Sequence, residues 1–284
     1  MGGLAEADLG LKERNALKRK RWAVAAVCAV AALAALDVRL QTVAYSITTP
    51  KVAAPVRLVV LSDLHSCVYG PEQRTLLEAV AAAEPDAVLM AGDMVDDAMA
   101  EEPAWTAVRA LAAEYPCFYV TGNHEWRTGE VERLCRRMEE LGVRVLRGQT
   151  VPVELNGQQL DISGVDDPDS GALALELEQV GEELREEVFS VLLAHRPEKF
   201  RLYLQHPFDL VVSGHAHGGQ WRLPGLVNGL LAPGQGLFPA YAGGCYDMGE
   251  AWLAVSRGLA RESTRIPRLF NRPEVTLVEL LPAS

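Results

Sequence analysis

LVVSGHAHGGQW, residues 210–221, combines an apolar run with a pair of histidines. The run Leu210–Val212 ends in a small residue and a glycine, and His215 and His217 then follow one residue apart. Short β-branched runs that end in polar residues are typical of buried strands. Alternate side chains of an extended segment point to the same side, so the two histidines are expected to face the same way. The stretch therefore predicts a buried strand whose carboxyl end carries two potential metal ligands.

The same pattern, an apolar strand followed by polar residues, recurs four more times. These strand ends carry Asp63 and His65, Asp93 and Asp96, Asn123 with His124 and Glu125, and His195. Ligands of open α/β sheets bind beyond the carboxyl ends of the strands, so residues far apart in sequence can converge there. Five of the six histidines lie in these segments, and His206 is the exception. We therefore expect one site built from all five strand ends.

The rest of the body predicts an α/β fold. From Pro55 onward, apolar strands alternate with helical segments, and "VPVELNGQQLDISGV" is a hairpin whose two-residue turn is Asn156-Gly157. No Ser/Gly-rich linker or internal repeat divides the body. Alternating strands and helices followed by hairpins indicate a layered fold with mixed sheets. We predict one domain over residues 41–284.

Composition and charge exclude several function classes. The 284 residues carry a formal net charge of -11, although residues 1–21 are basic. An acidic body argues against a nucleic-acid partner and against a nuclease, because these need Lys and Arg facing phosphates. The five cysteines are odd in number and form no C-x-x-C pair. A disulfide framework and a structural zinc site are therefore not expected.

The amino-terminal region predicts a membrane anchor. Residues 1–21 are the basic cytoplasmic terminus, and residues 22–40 are the anchor, which contains the uncharged run Trp22–Leu36. A spanning helix needs roughly 20 apolar residues, so Val38 and Leu40 would have to extend this run. A cleaved signal segment, which would release the protein, and a buried helix are the alternatives. Basic residues before the run predict a catalytic domain outside the cytoplasm.

The residue types at the strand ends predict a metal centre. Imidazole with carboxylate or amide oxygen suits Mn, Fe or Zn better than a thiolate site or an all-oxygen Ca site would. Seven ligands exceed the needs of one tetrahedral ion. They suit two divalent ions roughly 3.5–4 Å apart that share a carboxylate.

The order D-x-H, G-D-x-x-D, G-N-H-E, H and G-H-x-H, from about Val56 to the end of the chain, resembles the calcineurin-like metallophosphoesterase superfamily. The resemblance implies a four-layer αββα sandwich of two mixed β-sheets, preceded here by a hydrophobic helix, and a two-metal site for which Mn is the expected ion in vitro. It also implies a role for each residue. The first ion would be held by Asp63, His65 and His217, the second by Asn123, His195 and His215, and Asp93 would bridge the two. His124 would protonate the leaving group or stabilise its charge, and Glu125 would orient His124. Asp96 would orient one of the metal ligands.

Four further segments resemble one branch of that superfamily. "GVDDP", "GHAHGGQWRLPG", "AVSRGLA" and "IPRLFNRPEVTLVEL" are similar to membrane-associated bacterial YkuE/YaeI-type phosphodiesterases and to UDP-2,3-diacylglucosamine pyrophosphatases. The resemblance implies hydrolysis of phosphodiester or pyrophosphate bonds by a metal-bridging hydroxide, on a lipid-related substrate such as UDP-2,3-diacylglucosamine. Arg257 would bind the substrate phosphate or a neighbouring carboxylate. The alternatives are an extracytoplasmic phosphodiesterase or phosphatase of broad specificity and a non-catalytic scaffold.

Overall fold

The computed structural model describes residues 2–261 and 266–283, in two units that divide between Asp37 and Val38. The first unit is one helix, α1 (Gly2–Ala35). The predicted boundary between residues 21 and 22 lies inside this helix, and residues 36–40 follow its end. In the part of the chain that the structure describes, no helix is both long enough and apolar enough to cross a bilayer. The anchor predicted for residues 22–40 is therefore not supported as a spanning helix.

The second unit contains all the strands among the described residues. Its helices are α2 (Arg74–Ala82), α3 (Glu102–Glu114), α4 (Asn123–Arg127), α5 (Val131–Glu140), α6 (Leu173–Glu182) and α7 (Phe200–Tyr203). Its strands are β1 (Gln41–Thr49), β2 (Val56–Leu61), β3 (Ala87–Ala91), β4 (Cys117–Val120), β5 (Arg144–Val145), β6 (Gln149–Leu155), β7 (Gln158–Gly164), β8 (Phe189–Leu193), β9 (Leu210–Ser213), β10 (Leu231–Ala232), β11 (Gly236–Leu237), β12 (Gly244–Asp247), β13 (Trp252–Val255) and β14 (Glu274–Pro282).

These strands form two six-stranded sheets, and β10 and β11 pair separately. The first sheet has the order β1-β14-β2-β3-β4-β5 and the second the order β12-β13-β9-β8-β7-β6. In the first sheet, β2 to β5 are parallel to one another and β14 is antiparallel to β2. In the second, β7, β8, β9 and β13 are parallel, and β6 and β12 are antiparallel edges. The predicted mixed sheets are confirmed.

Alternation along the strands produces four layers. In β2, Val59 packs with helices α2, α3 and α5, whereas Leu58 packs against the second sheet. In β9 of the second sheet, Val212 faces the first sheet and Val211 packs towards α6 and α7. Successive side chains of a strand point to opposite faces, so each central strand is buried on both sides. The predicted αββα sandwich is confirmed.

The edge strand β1 is the main element that the sequence did not predict. Its side chains alternate between exposed and more buried positions, as expected where one face is covered. It pairs in parallel with β14, beginning with Gln41 opposite Glu274. The polar residues at alternate positions obscured the apolar run that marks the central strands. The predicted β6–β7 turn is present, with positive φ at Asn156 (45°) and Gly157 (72°).

The carboxyl ends of β2, β3 and β4 lie side by side in the first sheet, and those of β8 and β9 do so in the second. Backbone hydrogen bonds continue past the strand ends, from Asp63 N to the Gly92 oxygen (3.0 Å) and from Gly214 N to the His195 oxygen (3.0 Å). The ring of His195 crosses between the sheets, with Nδ1 2.7 Å from the carbonyl oxygen of Ala91. The two sheets therefore meet at the ends where the polar residues lie.

Candidate metal centre

The structure brings all seven predicted ligands into one buried cluster. Each of these residues is at most 7% exposed, although the cluster holds two carboxylates and four imidazoles. Two groups of three have ligand atoms within 4.8 Å of one another: Asp63 with His65 and His217, and Asp93 with His195 and His215. Buried ionisable groups are normally paired with one another or bound to metal ions. The cluster therefore has the composition and the compactness of a metal centre.

The first group surrounds the Asp63 carboxylate. Asp63 Oδ1 lies 3.7 Å from His217 Nε2 and 4.0 Å from His65 Nε2, too far for hydrogen bonds. The rings of His65 and His217 are stacked with their centroids 5.2 Å apart. The backbone N–H of His215 donates to the Asp63 carboxylate at 3.0 Å, which fixes its orientation. The three ligand atoms thus face a common point without bonding to each other.

The second group surrounds His195. Its Nε2 lies 3.1 Å from Asp93 Oδ2 and 3.2 Å from His215 Nδ1. One end of the Asn123 amide lies 2.8 Å from the same His215 nitrogen. The amide nitrogen can donate to His215 from that position, whereas the amide oxygen there would bring two lone pairs together, an arrangement that a cation would satisfy. Asn123 therefore belongs with this second group.

Asp93 lies between the two groups. Its Oδ2 is 3.1 Å from His195 Nε2 in one group and 3.6 Å from His65 Nε2 in the other. Its Oδ1 accepts a hydrogen bond from the backbone N–H of His124 at 2.8 Å, which leaves Oδ2 directed into the cluster. A single carboxylate oxygen that reaches both groups has the position of a bridging ligand.

Unpaired polar atoms test whether these residues fit metal ions. His65 Nε2 is buried and has no hydrogen-bond partner, and Asp93 Oδ2 has only its 3.1 Å contact with the His195 ring, although buried polar groups are almost always satisfied. Nδ1 of His65 lies 3.0 Å from Asp96 Oδ2, and Nδ1 of His195 lies 2.7 Å from the backbone carbonyl oxygen of Ala91. Such outer contacts hold a histidine so that its other nitrogen can bind a metal. The residues fit two cations, and Asp96 orients His65.

Mutual electrostatics suit the same interpretation. Burial acts to raise the pKa of the Asp93 carboxyl, but His195 outweighs this and holds the pKa well below its ordinary value. Burial acts to lower the pKa of His195, and the Asp93 charge reverses this and raises it to about 10. Burial, with the neighbouring His195, holds the pKa of His215 well below its ordinary value. The ionised Asp93 and the neutral His215 are already in the forms that bind metals, whereas a cation at His195 would replace the proton that Asp93 holds there.

The ligands are held by strained backbone. Five of the seven have φ between 46° and 63°, the left-handed region that side-chain-bearing residues rarely adopt: Asp63, His65, Asp93, His215 and His217. Such residues cost of order 1–3 kcal/mol each and persist only where the surroundings enforce them. At Gly122 a Cβ atom would lie 2.2 Å from Asp93 Oδ1, so only glycine fits beside this carboxylate.

His124 lies at the edge of the cluster and is partly open to solvent, with 22% of its side chain exposed. Its Nδ1 is 2.5 Å from Asp97 Oδ1, and its Nε2 is 3.2 Å from a guanidinium nitrogen of Arg127. Neither neighbour was predicted. The doubled aspartate after the second strand could have indicated Asp97, and the spacing of three residues on a helix could have indicated Arg127.

The structure corrects the prediction for Glu125. Both of its carboxylate oxygens accept backbone hydrogen bonds, from the N–H groups of Asp93 (3.0 Å), Val95 (3.0 Å) and Gly122 (2.9 Å). The side chain is fully buried. Adjacent residues of α4 point in different directions, which turns Glu125 away from the ring of His124. Asp97 is the carboxylate that orients His124, and Glu125 instead holds the loops after β3 and β4 together.

Arg257 adopts the second of its two predicted roles. Its Nε lies 3.2 Å from Oε2 of the buried Glu274, and its backbone N–H donates to the other oxygen of the same carboxylate at 3.1 Å. The guanidinium therefore has a protein carboxylate beside it, the neighbour that the sequence offered as the alternative to a substrate phosphate.

Comparison with known proteins identifies the family. A model of the calcineurin-like phosphoesterase family matches residues 56–219. Phosphodiesterase YaeI of Escherichia coli (strain K12) is 30% identical over 236 residues, which cover 81% of this chain and 83% of that protein. The uncharacterized metallophosphoesterase YkuE of Bacillus subtilis (strain 168) is 28% identical over 240 residues, covering 79% of this chain and 78% of that protein.

A solved structure, the 5'-nucleotidase precursor from Thermus thermophilus, superimposes with a TM-score of 0.50 at 16% identity. The match covers 80% of this chain and 54% of the other, so this chain spans about half the length of that protein. At this identity the likeness bears on the fold alone. The family match confirms the predicted enzyme class, a metal-dependent phosphoric ester hydrolase. The chain belongs to the calcineurin-like phosphoesterase family.

Proposed function

We propose that this chain hydrolyses phosphodiester or pyrophosphate bonds with two divalent ions, of Mn, Fe or Zn. The observation that carries the proposal is the position of Asp93 Oδ2, which faces one group of ligands at 3.6 Å and the other at 3.1 Å. Asp63, His65 and His217 would hold one ion, and Asn123, His195 and His215 the other. When bound, the ions neutralise phosphoryl charge and make water a nucleophile near neutral pH.

The protein's own part in the reaction centres on His124. It is the one histidine of the site with an open side, so it can reach a group entering from solvent. Asp97 at Nδ1 fixes the orientation of the ring, so that its other nitrogen can donate a proton to the departing oxygen. Arg127 lies at Nε2, where a phosphate oxygen of the substrate can replace the histidine as its neighbour.

We propose a membrane-lipid-related substrate, such as UDP-2,3-diacylglucosamine, and a location of the catalytic domain at the membrane, outside the cytoplasm. The exposed basic residues Lys18 to Arg21, directly before the exposed Trp22 on α1, support attachment to a membrane surface. An extracytoplasmic phosphodiesterase of broad specificity is the second candidate, favoured by the name phosphodiesterase that YaeI carries. A non-catalytic scaffold is disfavoured, because such a role needs neither a complete ligand set nor a partly exposed His124.

The test is hydrolysis by the full chain, loaded with Mn, of three substrates: bis-p-nitrophenyl phosphate, UDP-2,3-diacylglucosamine and p-nitrophenyl phosphate. We expect turnover of the first two to exceed turnover of the monoester, and Asp93→Ala to abolish all of it. Turnover of bis-p-nitrophenyl phosphate without hydrolysis of the nucleotide-lipid would favour the broad-specificity alternative. No hydrolysis of any substrate by a metal-loaded, folded chain would overturn the enzymatic proposal.

A further inference from the structure

An apolar surface extends from the metal centre along the chain that follows His217. We call it the apolar cap and define it as residues 220–238 and 266–271. Large side chains that are 38% to 82% exposed lie on it: Trp221, Leu223, Leu226, Leu237, Phe238 and Phe270. Soluble proteins rarely expose contiguous apolar patches of more than a few hundred Å² without an interaction partner. Their concentration in two short segments is typical of an interaction surface.

Hydrogen bonds make the two segments of the cap one structure. The backbone N–H of Arg222 donates to the Leu269 oxygen at 2.9 Å, and Trp221 Nε1 donates to the Pro267 oxygen at 2.9 Å. Further along, Phe238 N donates to the Leu230 oxygen at 2.8 Å, and Leu230 N donates to the Trp221 oxygen at 2.9 Å. The exposed apolar residues are therefore carried by a connected framework rather than by separate loops.

The cap is attached directly to a ligand of the metal centre. The buried amide of Asn271 donates to the backbone oxygens of His217 (2.8 Å) and Gln220 (3.1 Å). At Gly218, a Cβ atom would lie 2.2 Å from Asn271 Oδ1, so this contact requires glycine. The cap is therefore linked through Asn271 to the turn that positions His217.

Backbone strain is found where two aromatic side chains are presented to solvent. Phe238 and Phe270 have φ of 54° and 49°, and both are exposed. For a bulky residue this conformation is a genuine outlier, which Gly, Asn or Asp would adopt at lower cost. Burial in the core does not account for aromatic residues at these two positions. A partner that receives the rings does account for them.

Charge indicates the kind of partner. All 38 acidic residues of the chain lie outside the cap, and its charged residues are Arg222, which is partly exposed, and Arg268, which is buried. The chain as a whole has a net charge of -11. Glu198 packs against Gly234 from outside the two segments, but the cap itself adds one partly exposed arginine and no carboxylate. It is therefore a face of this acidic chain that a bilayer with anionic headgroups would not repel.

We propose that the apolar cap docks on an anionic lipid bilayer, with Leu226, Leu237 and Phe238 entering the headgroup boundary. Docking places the side of the centre that carries His217 towards the lipid surface. A phosphoester that resides in the bilayer can then enter without leaving it. This last step rests on the proposed function, whereas docking itself does not.

The first test reports docking without using activity. In full-length Cys28→Ser/Cys245→Ser protein, whose remaining cysteines are buried, Leu226→Cys is labelled with the environment-sensitive fluorophore NBD, and Leu175→Cys serves as the matched control. Leu175 is 60% exposed and lies on α6, outside the cap. With vesicles of phosphatidylglycerol and phosphatidylcholine, we expect a blue shift and at least about a twofold gain in emission at position 226 alone. Vesicles of pure phosphatidylcholine should give a smaller change.

Several outcomes of that test overturn the proposal. Emission at position 226 that stays constant with lipid contradicts docking, even if α1 brings the protein to the vesicle. Equal shifts at 226 and 175, or equal shifts with both kinds of vesicle, contradict the assignment of the cap or of its charge preference. A shift at 226 that appears on raising the protein concentration without lipid would instead assign the cap to a second copy of the chain.

The second test links docking to hydrolysis. We expect a Leu237→Asp/Phe238→Asp variant to lose at least about tenfold of its turnover of a phosphodiester embedded in anionic vesicles and to retain its turnover of soluble bis-p-nitrophenyl phosphate. Aspartate tolerates the left-handed backbone at position 238, so the variant is expected to fold. Equal retention on both substrates contradicts the proposal. A wild-type chain that hydrolyses neither substrate but shows the NBD shift would contradict the proposed function and leave docking supported.

Discussion

Asp93 Oδ2 lies 3.1 Å from His195 Nε2, and these two residues follow strands of different sheets. Asp93 lies just beyond the strand β3 of the first sheet, and His195 lies just beyond β8 of the second. The same imidazole reaches back to the carbonyl oxygen of Ala91 through Nδ1 at 2.7 Å. A contact that joins the two halves of the sandwich therefore also lies at the centre of the proposed metal site.

Asp93→Ala is expected to remove the metals and the activity together. The substitution removes the oxygen that faces both groups of ligands. Loss of a residue that only hydrogen-bonds to a ligand lowers metal affinity by up to about 100-fold, so loss of Asp93 itself should lower it by more than that. Metal content by plasma mass spectrometry and turnover of bis-p-nitrophenyl phosphate measure the two effects. Asp247→Ala, at an exposed position, is the control. Two retained ions with full turnover would show that Asp93 does not bridge.

His124→Ala is expected to lower kcat by about 10²–10⁴ with both ions retained. The side chain belongs to the rim of the cluster, and its loss leaves all seven proposed ligands in place. The decrease should be largest for substrates with poor leaving groups, because these depend most on a proton donor. Steady-state kinetics on a leaving-group series, together with metal analysis, provide the measurement. A loss that is the same for every leaving group would contradict the assigned role.

Asp97→Asn tests the positioning of His124. The asparagine keeps the size of the side chain and removes the charge next to Nδ1, so we expect kcat to fall by about 10- to 100-fold and KM to change little. This range corresponds to the ~1.5–3 kcal/mol of a hydrogen bond to a charged group. Asp97→Glu should restore part of the rate. If both Asp97→Asn and Asp97→Glu instead lose bound metal to the same extent, Asp97 supports metal binding rather than the position of His124.

Removal of metal is expected to destabilise the fold as well as to stop the reaction. At free metal near 100 times Kd, binding stabilises a protein by about 2.7 kcal/mol, which corresponds to a Tm lower by about 5–10 °C after chelation. Differential scanning calorimetry with EDTA, followed by readdition of Mn, measures the effect. The Asp93→Ala variant should show no such shift. An identical Tm with and without chelator in the wild type would argue against ions at this site.

Glu125→Ala is expected to lower the free energy of unfolding of the metal-free chain by at least about 3 kcal/mol. The carboxylate accepts hydrogen bonds from three buried backbone N–H groups, and each donor left without a partner costs about 1–3 kcal/mol. Urea unfolding gives the measurement, with Glu140→Ala at an exposed position of α5 as the control. A change equal to that of the control would mean that water replaces the carboxylate.

Much of the fold and the positions of the proposed ligands could be predicted because the information is local. Each ligand follows a short apolar run, and parallel strands bring such ends to one edge whatever the loops do. The contacts of the residues around the ligands could be assigned only from the three-dimensional structure. Glu125 is adjacent to His124 in sequence but points to the backbone of Asp93 and Gly122, because helix geometry separates neighbouring side chains. Asp97 contacts His124, 27 residues further along the chain, and the spacing of apolar residues does not predict such a contact.

The amino-terminal elements show a second limit of sequence patterns. Helix α1 begins at Gly2, within a region that carries charged and apolar residues without a repeating stripe, so periodicity does not mark its start. Strand β1 has exposed residues at alternate positions, and its pairing with β14 depends on a partner more than 200 residues away. Local apolar patterns predict the buried strands, whereas an edge strand depends on the strand with which it pairs and is not predicted from its own sequence.

The left-handed backbone at Asp63, His65, Asp93, His215 and His217 has a consequence for how the protein is produced. Before the proposed ions bind, a newly made chain must close these turns without the metal–ligand bonds that would offset their strain. Supply of transition metal during synthesis should therefore govern the yield of correctly folded material, by mass action on the native state. A culture starved of manganese, iron and zinc would accumulate less of this protein than of an equally stable one that needs no cation.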